Sequence, residues 1–395
     1  MNQVTDHLSF ENTEIAFRHS SDADLKRAYW LFRVINVNFL VKIGPPITNF
    51  AVSIGLPIKG LIKKTIFQHF CGGETIRECE TTIKSLNAGK VGTILDYSIE
   101  GEDDEQVFDS TAEEIIRTIR RAAKEPAIPI TVFKITGVGR FGLLEKLDAK
   151  LPLNPAEEQE WKKVQARVLS IGQKAHGVSI PVMIDAEETW IQDTIDGLAL
   201  NMMRKFNNER AIVYNTYQLY RHDKLQSLKN DHATAAKEGF ILGAKLVRGA
   251  YMEKERKRAL EMGYPSPIQP DKAAADRDYD AALHFCTDHI DQIAFIAGTH
   301  NENSCRLLAE LLDEKGIDHR NPHVYFSQLL GMSDNLSFNL ADSCYNVAKY
   351  VPYGPIKAVL PYLFRRAQEN TAIAGQMSRE LSLIVKEIRR RKEKV

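Results

Sequence analysis

Tyr362, Arg365, Arg366 and Glu369 fall at i, i+3, i+4 and i+7, a spacing that puts all four side chains on one face of a helix. Two guanidiniums beside a phenol make a cradle for a small carboxylate, because arginine offers a planar, permanently charged fork. The same residues also read as a solvated face with one ordinary arginine–glutamate pair, worth only about 0.2–0.5 kcal/mol. The choice turns on context. Just upstream lies a strand-like run that ends Tyr350-Val351-Pro352-Tyr353-Gly354-Pro355.

Other residues with chemical potential sit at the ends of apolar runs. Lys134 and Lys245 each close one, and a buried lysine is costly unless paired. Schiff-base catalysis, anion binding and a structural ion pair all remain open for them, the first requiring a free amine. Ile184-Asp185-Ala186-Glu187-Glu188 resembles a strand end carrying metal ligands, but only Asp96 and Glu100 form a comparable set and His300 stands alone. A magnesium barrel wants carboxylates on several successive strands, so no metal is expected. A carboxylate that orients a tyrosine or an arginine fits better. Gly137-Val138-Gly139-Arg140-Phe141-Gly142 matches the dinucleotide glycine pattern. A dinucleotide fold needs its second strand soon afterwards. Here no strand is expected before Ile180, so the glycines read as a loop over a barrel mouth.

The elements that must position these groups alternate. Strand candidates are 91–98, 130–135, 180–185, 211–216, 243–248, 293–297, 324–328 and 347–351, with helical stretches between them such as 110–124, 155–175, 224–238, 273–289, 302–315 and 355–371. Strand–helix alternation predicts a parallel sheet, and eight units predict an α/β fold of the (βα)8 TIM-like barrel type. A doubly wound open sheet is the alternative. The expected organisation is a helical N-terminal extension over 1–88, a catalytic barrel over 89–375 and a helical basic C-terminal tail over 376–395. Polar residues cluster at the strand ends (Asp96, Glu100, Lys134, Asp185, Glu187, Asn215, Gln218, Lys245, Arg248, Thr299, His300, Asn301, Gln328, Tyr350), where barrel chemistry sits.

The chain has 395 residues, 44% apolar and 26% charged, with Lys plus Arg and Asp plus Glu both at 52. Zero net charge gives no general argument for nucleic acid. Five widely spaced cysteines without a CxxC fit a reducing compartment rather than a disulfide framework. The N-terminus is polar and acidic, unlike a signal peptide. Residues 28–62 are apolar but interrupted by prolines, asparagines and lysines, which argues against a span and leaves a packing or interfacial role. The basic residues 389–394 read as a solvated tail, or as a weak contact with an anionic membrane.

Five segments together resemble proline dehydrogenase (proline oxidase). They are Asp185-Ala186-Glu187-Glu188, Gly243-Ala244-Lys245-Leu246-Val247-Arg248-Gly249-Ala250-Tyr251, Tyr325-Phe326-Ser327-Gln328-Leu329-Leu330-Gly331-Met332, Tyr350 to Pro355, and Tyr362-Leu363-Phe364-Arg365-Arg366-Ala367-Gln368-Glu369-Asn370. The likeness runs from about Val91 to Thr371 and is nearest the single-activity mitochondrial type. It implies a distorted (βα)8 barrel with noncovalent FAD, oxidation of L-proline to 1-pyrroline-5-carboxylate, and electrons passed to a membrane quinone. Carried over by position, it implies that Lys134, Arg365 and Arg366 bind the substrate carboxylate. Tyr350, Tyr362 and Leu329 would wall the ring, Asp185 would position the strand-eight tyrosine, and Glu100 would close the site on Arg366. The implied FAD contacts are Asn215, Gln218, Lys245, Val247, Gly249, Lys272, His300 and Asn301, with Lys245 or else Arg248 facing flavin N5. Many bacterial relatives carry arginine where Lys245 stands and glutamine where Asn215 stands. The implied setting is a bacterial cytoplasm with peripheral contact on the inner membrane, or the mitochondrial matrix side. Hydroxyproline dehydrogenase is the alternative within the family, and a Schiff-base aldolase on Lys134 or Lys245 the alternative outside it.

Overall fold

Each apolar run becomes a strand: β1 (Gly92–Tyr97), β2 (Ile130–Phe133), β3 (Val182–Ile184), β4 (Val213–Gln218), β5 (Leu242–Val247), β6 (Ile293–Gly298), β7 (Val324–Leu329) and β8 (Val347–Tyr353). They form a closed barrel in chain order, with parallel pairing. This is the (βα)8 architecture and excludes the open doubly wound sheet. The computed structural model describes residues 8–35, 59–99, 102–369 and 378–394. Glu100 and most of the apolar 28–62 region lie outside them, and the side chain of Glu369 is likewise not described.

The chain divides into two compact units. One is Ile99–Ser327; the other combines Asp6–Ser98 with Gln328–Val395. In the first, helices alternate with β2 to β6. Helix Glu105–Ala122 starts where the Asp104 side chain accepts from Gln106 N (2.7 Å), and it buries Phe108, Ala112, Ile115 and Ile119 at helical spacing. Helix Pro155–Gly177 opens on a reciprocal capping box, with Glu157 N to Asn154 Oδ1 at 2.9 Å and Asn154 N to Glu157 Oε2 at 2.8 Å. Pro155 stands at its first turn, where a missing N–H costs nothing. All of β4 is buried, its polar Asn215, Thr216 and Gln218 included.

Only the first part of the glycine-rich segment is a loop: Gly137 to Arg140 form a short turn after β2. Its second half opens helix Phe141–Asp148, and a Cβ on Gly139 would lie 2.8 Å from Val164 Cγ2 in helix Pro155–Gly177. The glycine there permits close helix packing.

In the second unit β1 and β8 pair from Gly92↔Ala348 to Tyr97↔Tyr353. Helices Asp22–Ile35, Glu80–Ala88, Asp334–Asp342, Ile356–Glu369 and Arg379–Glu393 accompany them. Its core gathers Phe17, Leu25, Phe32, Phe70, Val359, Leu363, Leu381 and Ile384. The C-terminal helix Arg379–Glu393 is not a solvated tail. Leu381, Leu383 and Ile384 are buried, and the fully buried Glu387 accepts from Arg390 and Arg391 at 2.8 Å. Arg391 also donates to Phe17 O and Asp22 Oδ1, both at 2.7 Å. These basic residues are therefore occupied with the fold itself. Among the described residues no helix is long and apolar enough to cross a membrane.

Candidate active site

In the first unit the polar groups at the ends of β2 to β6 form several local sets. Asp185 follows β3, and its backbone N donates to Phe133 O at 3.0 Å. Its Oδ1 receives Lys245 Nζ at 2.6 Å, and both side chains are about nine-tenths buried. Such a pair holds two charges that neither strand could bury alone. The β4–β5 register sets Thr216 beside Lys245 and Gln218 beside Val247. Strand neighbours point to the same face, so Thr216, Gln218, Lys245 and Val247 share one side of the sheet.

Asn215 points the other way. Its Nδ2 donates to Asp196 Oδ1 at 2.9 Å on helix Thr189–Phe206, and Lys224 holds the second oxygen of Asp196 at 2.6 Å. Tyr217, two residues on, likewise reaches outward to Asp231 in helix Lys224–Glu238 (2.7 Å). Asn215, the expected flavin contact, turns its amide to helix Thr189–Phe206, and Thr216, which the sequence reading passed over, occupies the face with Lys245.

Lys134 lies half-buried between β2 and the short turn Ile135–Gly137. Close to it sits Glu187, which is 3% exposed and accepts from Thr136 through both the backbone N (3.1 Å) and the hydroxyl. Burial raises the Glu187 carboxyl to about 7, against the opposing pull of the Lys134 charge. Gln218 Nε2 donates to Glu187 O at 2.8 Å and so ties the ends of β3 and β4 together. The sequence offers Glu187 as a strand-end polar residue and a would-be metal ligand, without a role at the site. Among the described residues no group of three or more His, Cys, Asp or Glu side chains is placed to hold a metal.

Arg248 does not share the Lys245 face. Its guanidinium bonds Asp276 (2.6 Å), Thr299 Oγ1 (2.9 Å) and Ser304 Oγ (2.9 Å) and lies 4.3 Å from the Tyr279 ring centroid. Lys272 also reaches Asp276, at 2.5 Å, so two cations share one carboxylate. Asn301 caps helix Glu302–Glu314, accepting from Asn303 N (2.9 Å) and Ser304 N (3.2 Å). His300 precedes it, half-buried. Gly249 has φ +136°, and a Cβ there would fall 2.4 Å from the Tyr220 ring, so only glycine fits.

The second unit supplies the arginine cradle. Helix Ile356–Glu369 carries Tyr362, Arg365 and Arg366 on one face, as their spacing predicts. Arg366 is 6% exposed, and its guanidinium lies 5.1 Å from the Tyr362 ring centroid. A buried arginine stacked on an aromatic ring is not a solvated surface pair. Tyr350 is buried in β8, and Leu329 ends β7, packed against the unit's core.

The family described as proline dehydrogenase matches residues 79–379, a span that contains every one of these groups. The chain belongs to the proline dehydrogenase family. It is 34% identical to "Proline dehydrogenase 1, mitochondrial" of Dictyostelium discoideum, over 99% of this chain and 76% of that protein. It is 33% identical to "Carbapenem antibiotics biosynthesis protein CarD" of Pectobacterium carotovorum, over 82% of this chain and 83% of that protein. Its fold resembles proline utilization A from Bdellovibrio bacteriovorus, with a TM-score of 0.72 and 18% identity, over 97% of this chain and 44% of that one.

Proposed function

We propose that this chain oxidises L-proline to 1-pyrroline-5-carboxylate with bound FAD and passes the electrons to a membrane quinone. The observation that carries the reading is the buried Arg366 on Tyr362, inside a segment the family match covers.

The residues fit such a cofactor. A flavin dinucleotide needs positive charge and donors for its pyrophosphate and a flat platform for its ring. Arg248 and Lys272 bring two cationic donor groups to Asp276, and the N-terminus of helix Glu302–Glu314 adds backbone dipoles. Gly298 presents no side chain beside Val247, where a Cβ would sit 3.0 Å from Val247 Cγ1. FAD, when bound, would accept the hydride from the ring carbon next to nitrogen. Lys245 and Gln218 would hold it from the barrel side, Val247 and Gly249 from the end of β5, and His300, Asn301 and Lys272 from the loops.

Proline is a zwitterion, and its carboxylate must meet fixed cations when it leaves water. Arg365, Arg366 and Lys134 would supply them. Tyr350, Tyr362 and Leu329 would wall the ring, so that the chain contributes mostly orientation. Glu100 would close the site on Arg366. The amine proton goes to solvent. Lys245 in its ion pair with Asp185 is a cation donor rather than an amine nucleophile, which counts against Schiff-base chemistry there. Peripheral membrane contact goes with the quinone reading.

Purified protein supplied with FAD and a dye acceptor is expected to turn over L-proline in preference to trans-4-hydroxy-L-proline. Preference for the hydroxylated ring would move the substrate to the family's other branch. Turnover of neither would sink the reading.

A further inference from the structure

The turn after β7, Leu329 to Asp334, is held at nearly every backbone group. Leu330 N donates to Tyr350 O at 2.9 Å, and Met332 N to Leu329 O at 3.2 Å. The Glu380 carboxylate, at the start of the C-terminal helix, accepts from Ser333 N at 2.6 Å. His69 Nε2 donates to Gly331 O at 2.9 Å, and burial keeps its pKa below the ordinary value, as suits a neutral ring. Gly331 has φ +76° and Ser333 φ +51°, so the turn passes twice through the left-handed region.

Lys349 is the hub of this arrangement. It sits in β8 with 0% exposure. An ammonium has three donors. Here they meet Leu329 O (3.2 Å), Met332 O (2.5 Å) and Asp334 Oδ1 (2.8 Å). A fully buried lysine is expensive, and a methionine would fill the same space without that cost. What methionine would not do is fix two carbonyls of the turn. Lys349 also directly precedes Tyr350, whose own carbonyl holds Leu330. Leu329 and Tyr350 are thus locked to one another through a single side chain and a single backbone bond.

We propose that Lys349 is a positioning residue that fixes the separation of Leu329 and Tyr350, and so selects the unsubstituted five-membered ring over ring-hydroxylated prolines. The proposal rests on the reading of Leu329 and Tyr350 as ring walls. Displacing a wall by about 1 Å can cost up to about a hundredfold in kcat/KM, and one extra group in a pocket is worth roughly 10–200-fold in selection.

The test uses full-length, FAD-loaded Lys349→Met, Lys349→Gln and Asp334→Asn. Lys349→Met is expected to raise the KM for L-proline about tenfold with kcat changed less than about twofold. The proline to trans-4-hydroxy-L-proline ratio of kcat/KM should fall at least about fivefold. Binding of tetrahydrofuran-2-carboxylate, which lacks the amine and cannot be oxidised, should weaken in parallel. Lys349→Gln keeps two N–H donors and should fall between. Asp334 is 27% exposed and an asparagine there still offers the ammonium an oxygen acceptor, so Asp334→Asn costs less stability than Lys349→Met, loosens the ammonium, and should lower the ratio about twofold. The proposal is overturned if the soluble, flavin-loaded variants melt earlier but keep wild-type KM and ratio. If only Asp334→Asn folds, an unchanged ratio in it overturns the proposal as well. A wild-type protein that oxidises neither amino acid would instead overturn the underlying function, a separate outcome.

Discussion

Arg366→Met is expected to raise the KM for L-proline about a hundredfold while the flavin stays bound. The guanidinium is 6% exposed, and removing one partner of a buried charge pair costs roughly 3–5 kcal/mol. Each 1.4 kcal/mol is a factor of ten, so the low end of that range already gives the predicted change. Arg365 lies half-buried, where water screens the loss, and Arg365→Met should cost about tenfold. Methionine keeps much of the stem's packing, so the loss is mainly one of charge. If the contact is equal in ground and transition states, KM moves and kcat does not. Steady-state kinetics with matched flavin content measures it. Unchanged KM in both variants would show that the cradle holds something else.

Lys245→Met should destabilise the protein by about 3–5 kcal/mol and lower its flavin content, because it strands the buried Asp185 carboxylate. Lys245→Met with Asp185→Asn removes that stranded charge, and most of the stability should return. Activity should not. The flavin in the double variant should also be harder to reduce, since the positive charge that favours the reduced, anionic ring is gone. Urea unfolding of the apo-protein and a reductive titration of the loaded one separate the two roles of the lysine. If the double variant recovers activity along with stability, Lys245 is structural only.

The sequence made the eight strands legible because strands buried on both faces are unbroken apolar runs. Their ends were harder. The fourth was expected at 211–216 and lies at Val213–Gln218, because Tyr217 and Gln218 look like loop residues until a partner strand takes their backbone groups. The same ambiguity hides Thr216: a strand alternates its faces, but the sequence does not say which polar residue looks inward when both faces carry one. Only the pairing of Thr216 with Lys245 decides it. The common face of Tyr362, Arg365 and Arg366 was legible because helical spacing alone puts them together. Glu187, Glu380 and Lys349 were not, since their burial depends on segments far away in the chain. Lys349 did leave a trace, as a lysine inside the apolar run Val347-Ala348-Lys349-Tyr350-Val351. The C-terminal basic cluster misled for a similar reason: its partners Glu14, Asp22 and Phe17 O lie at the opposite end of the sequence.

The most direct test is an anaerobic titration of the FAD-loaded protein with L-proline, followed through the visible flavin band. The account predicts that L-proline bleaches the band at one equivalent per flavin, that 1-pyrroline-5-carboxylate appears in equal amount, and that a quinone restores the colour. A protein that binds no FAD, or a flavin band that L-proline leaves untouched, would contradict it.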